Sequence, residues 1–451
     1  MKRRISVWCL LAGLLPAAAS AQGGSITAAE TLSLDAALRL AVDQNRQVAS
    51  SNLQVEKAEA NLAVARTRRL PVFETQVSAS QLLSPVEFAF PRGAFGDFPG
   101  TGPIPDNDTT IKVPKRPTYY TSSQVSQPLS QLFQIGLGIR SAVAARDIER
   151  ERTRAQRLSV INDVKRLYFA ILQTQSSMTA NQEALTLYRE LDRVLQVRVT
   201  QQVALRSDGL DVQFKLAQEE LTRTTLQNAL ASQKEHLNQL LGRDVNTAFE
   251  VEDAGALSLL EVDVQAGRTH ALDTRPDVKE ARLKLEQAEI DRRITHAERI
   301  PDVSLAVGYS SYFNMSVMPT NLATVGVQVK WEPFDWGRRS RELAAKSHTI
   351  TQARMAVRDA EDRTVLEVNS LFRTLAEKKA LLRVVETAQT AAREKVRVKT
   401  NQYRIEAALL TDVLNVRAEL ADADDRYQQA LLAYWTAKAD YDLATGEEGL
   451  K

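Results

Sequence analysis

The sequence is poor in cysteine, and its few glycines and prolines are concentrated in short segments. Its single cysteine, Cys9, lies in an N-terminal stretch with a basic start at Lys2–Arg4, an apolar middle and small residues at Ala19–Ala21. This pattern predicts a secretory signal peptide over residues 1–21. The exported chain would contain no cysteine, which excludes a disulfide and a lipid anchored on cysteine.

The sequence also lacks the motifs of common enzymes. It has no glycine-rich phosphate loop, and its 4 histidines are not spaced as metal ligands on a helix. We therefore predict no enzymatic activity and no catalytic, cofactor-binding or metal-binding residue. The formal net charge is +2, and removal of residues 1–21, which hold 3 basic and no acidic residues, changes it to −1. A nearly neutral chain with interspersed charges has no basic face for nucleic acid.

Uninterrupted apolar runs of membrane-spanning length are absent from the exported chain. The uncharged segment Phe313–Val329, for example, is broken by Asn314, Pro319 and Asn321. A membrane-spanning helix needs about 20 predominantly apolar residues. If this chain crosses a membrane, it must do so with strands.

The chain is an internal duplication. Residues 41–80 align with 271–310 without a gap, and 11 of the 40 positions are identical, including Arg69/Arg299 and Pro71/Pro301. We predict a first structural repeat over 22–265 and a second over 266–451. Each contains a helix, two strand-like segments, a very long helix and a further helix.

Very long helices are predicted where glycine and proline are missing. Neither occurs in the 70 residues from Ile139 to Asp208 or in the 108 residues from Arg338 to Thr445. The first run could reach about 105 Å as a helix, so such rods must pack side by side. The helices are predicted at 134–203 and 208–241 in the first repeat, and at 268–300, 338–403 and 409–445 in the second.

A heptad stripe lies on the predicted helix 208–241. Its members alternate in steps of four and three residues: Leu210, Phe214, Ala217, Leu221, Thr224, Asn228 and Ala231. The small residues among them suit helices packed closely on two sides, as in a closed helical cylinder. An ordinary helical bundle stays open as the alternative.

Four strands are predicted, near 71–83, 119–129, 301–313 and 322–334. The second pair alternates cleanly between apolar and small or polar residues, as in a membrane barrel with a wet lumen. The expected lipid-facing residues are Val303, Leu305, Val307, Val325, Val327 and Val329, and the expected interfacial aromatics are Tyr309, Trp331, Phe334 and Trp336. The first pair is more polar and could instead be loop. Between its strands, Pro85–Pro117 holds 7 prolines and 4 glycines and is predicted to be an irregular surface loop.

Four strands are too few for a membrane barrel, since the smallest such barrels have about eight. The strands must therefore come from several copies of the chain. Two copies would supply eight strands and three would supply twelve, and strand arithmetic does not choose between them.

Several motifs resemble the TolC family of outer-membrane efflux proteins. They are Ala271–Val278 (ALDTRPDV), Pro333–Arg338 (PFDWGR), Gln127–Leu129 (QPL), and Tyr403 followed by Asp412–Leu414 (DVL). The resemblance implies an α+β membrane protein, a homotrimer whose twelve-stranded β-barrel in the cell outer membrane continues into a twelve-helix α-barrel in the periplasm. It also implies a passive exit duct of a tripartite efflux or type I secretion system. The implied partners are a periplasmic membrane-fusion adaptor protein and an inner-membrane transporter of the RND, ABC or MFS type.

The resemblance also implies roles for residues at the turns farthest from the membrane. The gate candidates are Asp412, Asn415 and Asp211, and the adaptor-docking candidates are Val203, Leu205, Arg206, Tyr403, Glu406 and Ala408. Leu205 and Glu406 stand where the family has glycines, Asn415 where it has a second aspartate, and Ala408 where some members carry an arginine. For Asp412, a helix-capping role is the alternative to the gate.

Two further functions stay open. One is a secreted periplasmic coiled-coil adaptor or scaffold without a pore of its own, although such a protein would not need the clean strand alternation of 301–334. The other is a duct for secreted proteins rather than for small molecules, which the sequence does not distinguish. The residues do not identify the transported substrate or the class of pump.

Overall fold

Two long helices organise the chain, and shorter helices and strands pack along them. The computed structural model describes residues 30–113, 115, 117–252, 263–314, 319–405 and 407–447. The predicted signal peptide 1–21 and the candidate Glu406 lie outside the described residues. In chain order the first half contains β1 (Glu30–Leu32), α1 (Leu34–Gln44), α2 (Arg46–Thr67), β2 (Val72–Gln81), β3 (Val86–Phe90), β4 (Asp97–Phe98), β5 (Gly102–Pro103), β6 (Thr109–Val113), β7 (Pro117–Pro128), α3 (Leu132–Thr200), α4 (Arg206–Leu240) and β8 (Phe249–Val251). The second half contains α5 (Val264–Thr274), α6 (Pro276–Ala297), β9 (Asp302–Phe313), β10 (Asn321–Lys330), α7 (Arg338–Arg404) and α8 (Leu410–Thr445).

Four strands form the main sheet, and all of its neighbours are antiparallel. Their order is β10-β9-β7-β2, so the two halves of the chain meet at the β7–β9 pair. Strands β2 and β10 lie at the two edges of the sheet, where each has one row of backbone groups without a partner strand in the protomer. The sheet is therefore open at both sides.

The helices form a layer that is open at the corresponding edges. Helices α3 and α7, of 69 and 67 residues, leave the sheet and run about 100 Å away from it. Near the sheet the packing order is α2, α3, α6, α7, and farther away it is α4, α3, α8, α7. Each half of the chain thus ends in a helical hairpin whose turn lies farthest from the sheet.

The buried core lies between these two levels, around a small parallel ladder of β1 and β8. Tyr168 of α3 is 1% exposed, and its hydroxyl lies 3.0 Å from the Leu32 carbonyl oxygen and 2.6 Å from that of Glu252. One side chain thereby links both strands to the long helix. Gly242 and Gly446, which are equivalent in the two repeats, end α4 and α8 with φ of 74° and 78°, a left-handed conformation that favours glycine.

Two expectations from the sequence differ from the structure. The single helix predicted over 268–300 is two helices, because Pro276 has no amide proton and Arg275 before it is extended (φ −59°, ψ 130°). Asn45 makes the same break in the first half, with its side-chain oxygen accepting bonds from the amides of Gln47 and Val48 at 2.8 and 3.2 Å.

The segment 85–117, predicted to be irregular, contains two ladders. Strand β3 pairs with β6 and β4 with β5, both antiparallel. The prolines lie outside or at the ends of these short strands, where a missing amide proton removes no ladder bond. Their number therefore misled the sequence interpretation.

No helix among the described residues combines the length and the apolar character needed to cross a membrane.

Candidate functional site

The main sheet has two chemically different faces. Residues paired across strands point to the same side, so the register defines each face. One face is largely apolar and spans all four strands: Phe73, Val77, Val125, Val303, Leu305, Val307, Tyr309, Val325, Val327 and Val329. The other is polar or small: Glu74, Gln76, Ser78, Ser122, Gln124, Ser126, Ser304, Ala306, Ser310, Thr324 and Gln328.

The apolar face is uncovered in the protomer. Val77 is 71% exposed, Val325 76% and Val327 63%. All six residues predicted from the sequence to face lipid lie on this face. The first-half strands, which could have been loop, contribute Phe73 and Val125 to the same surface. A contiguous apolar surface of this extent requires a nonaqueous partner.

The predicted interfacial aromatics lie at different levels. Tyr309 is within β9, opposite Ala323 and near the end of the sheet away from the helices. Strand β10 ends at Lys330, so Trp331, Phe334 and Trp336 follow it in the turn to α7, and the rings of the last two are 4.7 Å apart. The strand expected to reach 334 is shorter because Pro333 cannot donate to a ladder and Asp335 starts a helix cap.

Asp335 fixes the junction between the sheet and α7. Its carboxylate accepts hydrogen bonds from the backbone amides of Arg339 and Gly337, both at 3.1 Å. The bond from the Arg339 amide, with that from Gly337 and the nearby guanidinium groups, lowers the pKa of the Asp335 carboxyl below its ordinary value. Gly337 itself takes φ 81°, so the chain turns sharply into the helix.

The heptad stripe predicted on α4 does not pack within the protomer. Every one of its residues is exposed, with Phe214 at 70% and Leu221 at 67%, because α4 uses a different side, including Leu216 and Leu237, to contact α3. We call these seven residues the α4 stripe. They form a continuous uncovered seam on one edge of the helical layer.

A second uncovered stripe lies on the opposite edge and was missed in the sequence. It runs along α7 in the same alternation of three and four: Leu381, Val384, Ala388, Ala391, Lys395, Val398, Gln402 and Ile405. All but the half-buried Gln402 are exposed. We call it the α7 stripe. Lys395 and Gln402 interrupt its apolar character, which is why periodicity alone did not reveal it.

The turns between the paired helices present apolar side chains. In the first turn Gln202 takes φ 60°, and the amide of Val203 donates to the Arg198 carbonyl at 2.9 Å. Gln202 thus supplies the left-handed conformation that glycines supply in the family pattern. Among the docking candidates Val203 is 74% exposed, Leu205 69% and Tyr403 44%, Arg206 is exposed and Ala408 is half-buried.

The gate candidates lie just beyond these turns, on the returning helices. The carboxylate of Asp412 is half-buried and accepts a hydrogen bond from the Leu409 amide at 3.3 Å, an interaction that caps α8. Asn415 and Asp211 are exposed. One protomer therefore places Asp412 and Asp211 at the same end of the molecule but on separate hairpins.

The described residues contain no cluster of three or more acidic, histidine or cysteine side chains arranged to hold a metal ion.

Comparisons with known proteins agree on one architecture. A family model described as outer membrane efflux protein matches residues 37–243 and 268–447. The chain superposes on the outer-membrane channel OprN with a TM-score of 0.73 and 17% identity, covering 92% of this chain and 89% of that one. For the outer membrane protein VceC of Vibrio cholerae the values are 0.70, 15%, 92% and 96%. These structural matches show a shared fold.

One curated protein is similar over a shorter length. An uncharacterized protein of Haemophilus influenzae is 23% identical over 202 residues, which make up 43% of this chain and 44% of that protein. The match thus spans less than half the length of that relative.

Proposed function

The chain belongs to the outer membrane efflux protein family, and from this premise we propose that three copies assemble into a passive exit duct crossing the outer membrane and the periplasm. Family membership makes the protein a transport channel and not an enzyme. It also disfavours the alternative of a secreted adaptor without a pore. The open sheet with one apolar and one polar face is the observation that carries the proposal.

The sheet supports an oligomeric barrel. Backbone groups at an open edge cannot stay unsatisfied in lipid. Edge strand β2 of one copy would pair with β10 of the next, so three copies would close twelve strands. The apolar face would contact lipid, including the six residues Val303, Leu305, Val307, Val325, Val327 and Val329, while Tyr309, Trp331, Phe334 and Trp336 would lie toward the interfaces.

The two uncovered helical stripes support the same arrangement. They lie on opposite edges of the protomer and run antiparallel to each other, as a seam between neighbouring copies requires. Leu221 is 18 residues from Val203, and Ala388 is 19 residues from Ala407, so the two lie at similar heights above the turns. Large Phe214 and Leu221 would therefore meet small Ala391 and Ala388, and small side chains of the α4 stripe would meet Leu381 and Val384.

The helical turns are the proposed docking and gating end. An adaptor protein would contact the exposed side chains of Val203, Leu205, Arg206 and Tyr403, with Ala408 and the undescribed Glu406 beside them. The adaptor would connect the duct to an inner-membrane transporter, whose RND, ABC or MFS class the residues do not specify. Apolar side chains that are exposed at a loop tip are suited to such a contact.

Asp412, with Asn415 and Asp211, is the proposed lining of the gate. Three copies of Asp412 around one axis would repel each other and attract cations. Replacement Asp412→Ala is expected to change the single-channel conductance or its block by multivalent cations. Unchanged conductance and block would leave Asp412 as a helix cap only, the role its bond to the Leu409 amide already supports.

Engineered disulfides test the proposed assembly. The double variant Leu221→Cys with Ala388→Cys places one thiol on each stripe, in a chain whose only cysteine lies in the predicted signal peptide. Oxidation in native membranes should yield covalent dimers and trimers that disappear on reduction. The matched control is Thr222→Cys with Thr390→Cys, since both threonines are exposed but lie off the stripes. Equal cross-linking of the two pairs, or none in the first, would refute the seam.

A further inference from the structure

Two tyrosines stand together on the polar face of the main sheet. Tyr120 of β7 and Tyr312 of β9 are paired directly across the strands, and their rings are 5.0 Å apart at an angle of 37°. They are the only aromatic side chains on this face of the four strands, whose other aromatics, Phe73, Tyr119, Tyr309 and Phe313, are on the apolar face. An aromatic pair on an otherwise hydroxyl-rich surface is the exception to its composition.

The neighbours of this pair are small. Ser78 is opposite Tyr120 on β2, and the next pair on the same face is Ser122 with Ser310, whose hydroxyl oxygens are 3.5 Å apart. Beyond them, at the next position of β9 on this face, lies Gly308. Both tyrosines remain half-exposed in the protomer. The rings therefore project above a floor of serine and glycine.

The pair lies at the end of the sheet away from the helices. Tyr120 is close to the start of β7 at Pro117, and Tyr312 is next to the end of β9 at Phe313. In the proposed duct this end is the outer mouth. Three copies would arrange three tyrosine pairs around the exit of the lumen.

The charge of the same face favours positive solutes. Its strand residues carry two carboxylates, Glu74 and Asp302, and one ammonium group, Lys330, for a net charge of −1 in each copy. The faces of aromatic rings carry negative partial charge and attract cations and other rings. Aromatic and electrostatic attraction thus act on the same class of molecule.

We propose that Tyr120 and Tyr312 form a stacking subsite for planar aromatic cations at the outer mouth of the lumen. The inference rests on the proposed function, because it requires the polar face of the sheet to line the duct. The subsite would hold a departing solute briefly at the exit and make the duct discriminate among solutes by shape and charge. Aliphatic cations, which offer no ring to stack, would be held less.

A purely structural role is the competing explanation. Aromatic cross-strand pairs stabilise sheets, and Tyr120 with Tyr312 would then only brace the β7–β9 pair, where the two repeats meet. Tyr119 makes the decisive comparison. It is the adjacent residue of the same strand, is paired with Phe313, and projects from the apolar face.

Single-channel recording with added cations tests the subsite. Ethidium, a planar aromatic cation, is applied from the outer side of wild-type protein in planar bilayers, and tetraethylammonium serves as the aliphatic probe. In Tyr120→Ala and in Tyr312→Ser, half-block by ethidium should need a concentration about three to ten times higher. Block by tetraethylammonium should change less. Tyr119→Ala should behave as wild type, and Tyr120→Phe should retain block because it keeps the ring.

The outcomes separate the subsite from the duct. Normal open-channel conductance with unchanged ethidium block in the variants would overturn the subsite and leave the exit duct standing. The same loss of block in Tyr119→Ala would also overturn it, because the effect would then come from strand packing. If the wild-type protein forms no conducting channel, the proposed function fails and the subsite with it. Two independent variants on two strands guard against misfolding of either one.

Discussion

Replacement of Phe214 by alanine should weaken the assembly without disturbing the protomer. Phe214 is part of the α4 stripe and is 70% exposed in the protomer, so its ring contributes little to the fold of a single chain. In the proposed seam it packs against the α7 stripe of a neighbouring copy near Ala391 and Lys395. The ring then passes from water into a protein interface.

The size of the effect follows from the exposed area. A phenylalanine buries about 200 Å² when it is fully covered, so a 70% exposed ring has about 140 Å² left to bury. At about 25 cal/mol per Å² that burial contributes about 3.5 kcal/mol. Alanine retains part of this area, and we expect Phe214→Ala to cost about 2–3 kcal/mol at each interface.

The assay is the denaturant concentration at which purified assemblies dissociate, followed by size-exclusion chromatography. Phe214→Ala should lower it clearly, while helical content by circular dichroism stays unchanged below that concentration. Phe95→Ala is the matched control, since Phe95 is 60% exposed but lies in the segment between β3 and β6. Equal dissociation midpoints for Phe214→Ala and Phe95→Ala would show that the α4 stripe is not an interface.

Three further perturbations test other parts of the structure. Val327→Lys should impair insertion into bilayers by about 2–4 kcal/mol, whereas Gln328→Lys on the opposite face should insert normally; equal behaviour would refute the two-faced sheet. Asp335→Asn should lower the thermal midpoint at neutral pH, and since the folded pKa of Asp335 is depressed, the difference from wild type should vanish as pH falls below about 4. A difference that persists at pH 3 would contradict the capping role. Gly242→Ala, with φ 74° and a methyl position 2.1 Å from a backbone oxygen at the end of α1, should destabilise by about 2 kcal/mol or more, while Gly138→Ala, with open space around it, should not. Equal thermal midpoints of these two variants would refute that explanation.

The sequence predicts much of this architecture because its signals are local. Long runs without glycine or proline predicted α3, α7 and α8, and strict alternation predicted the β9–β10 hairpin. The resemblance to the efflux family, carried by short motifs at the strand–helix junctions, is confirmed by the family match. The break at Pro276 could have been predicted from the proline itself, since the residue before a proline avoids the helical conformation.

What the sequence did not predict depends on long-range pairing. The Tyr120–Tyr312 pair joins strands from different repeats, and only the register of β7 on β9 brings the rings together. The α7 stripe escaped notice because Lys395 and Gln402 interrupt it. The α4 stripe was recognised, but only the packing of α4 against α3 reveals that this stripe faces away from the protomer.

The most direct test of the account attaches a thiol reagent to neighbouring residues on opposite faces of one strand. Gln124 of β7 lies on the polar face and Val125 on the apolar face, at the middle of the sheet. In planar bilayers, a water-soluble thiol reagent should reduce the conductance of Gln124→Cys channels in three equal steps and leave Val125→Cys channels unchanged. Conductance loss in Val125→Cys, or no loss in Gln124→Cys, would contradict a duct lined by the polar face, and a different number of steps would contradict the trimer.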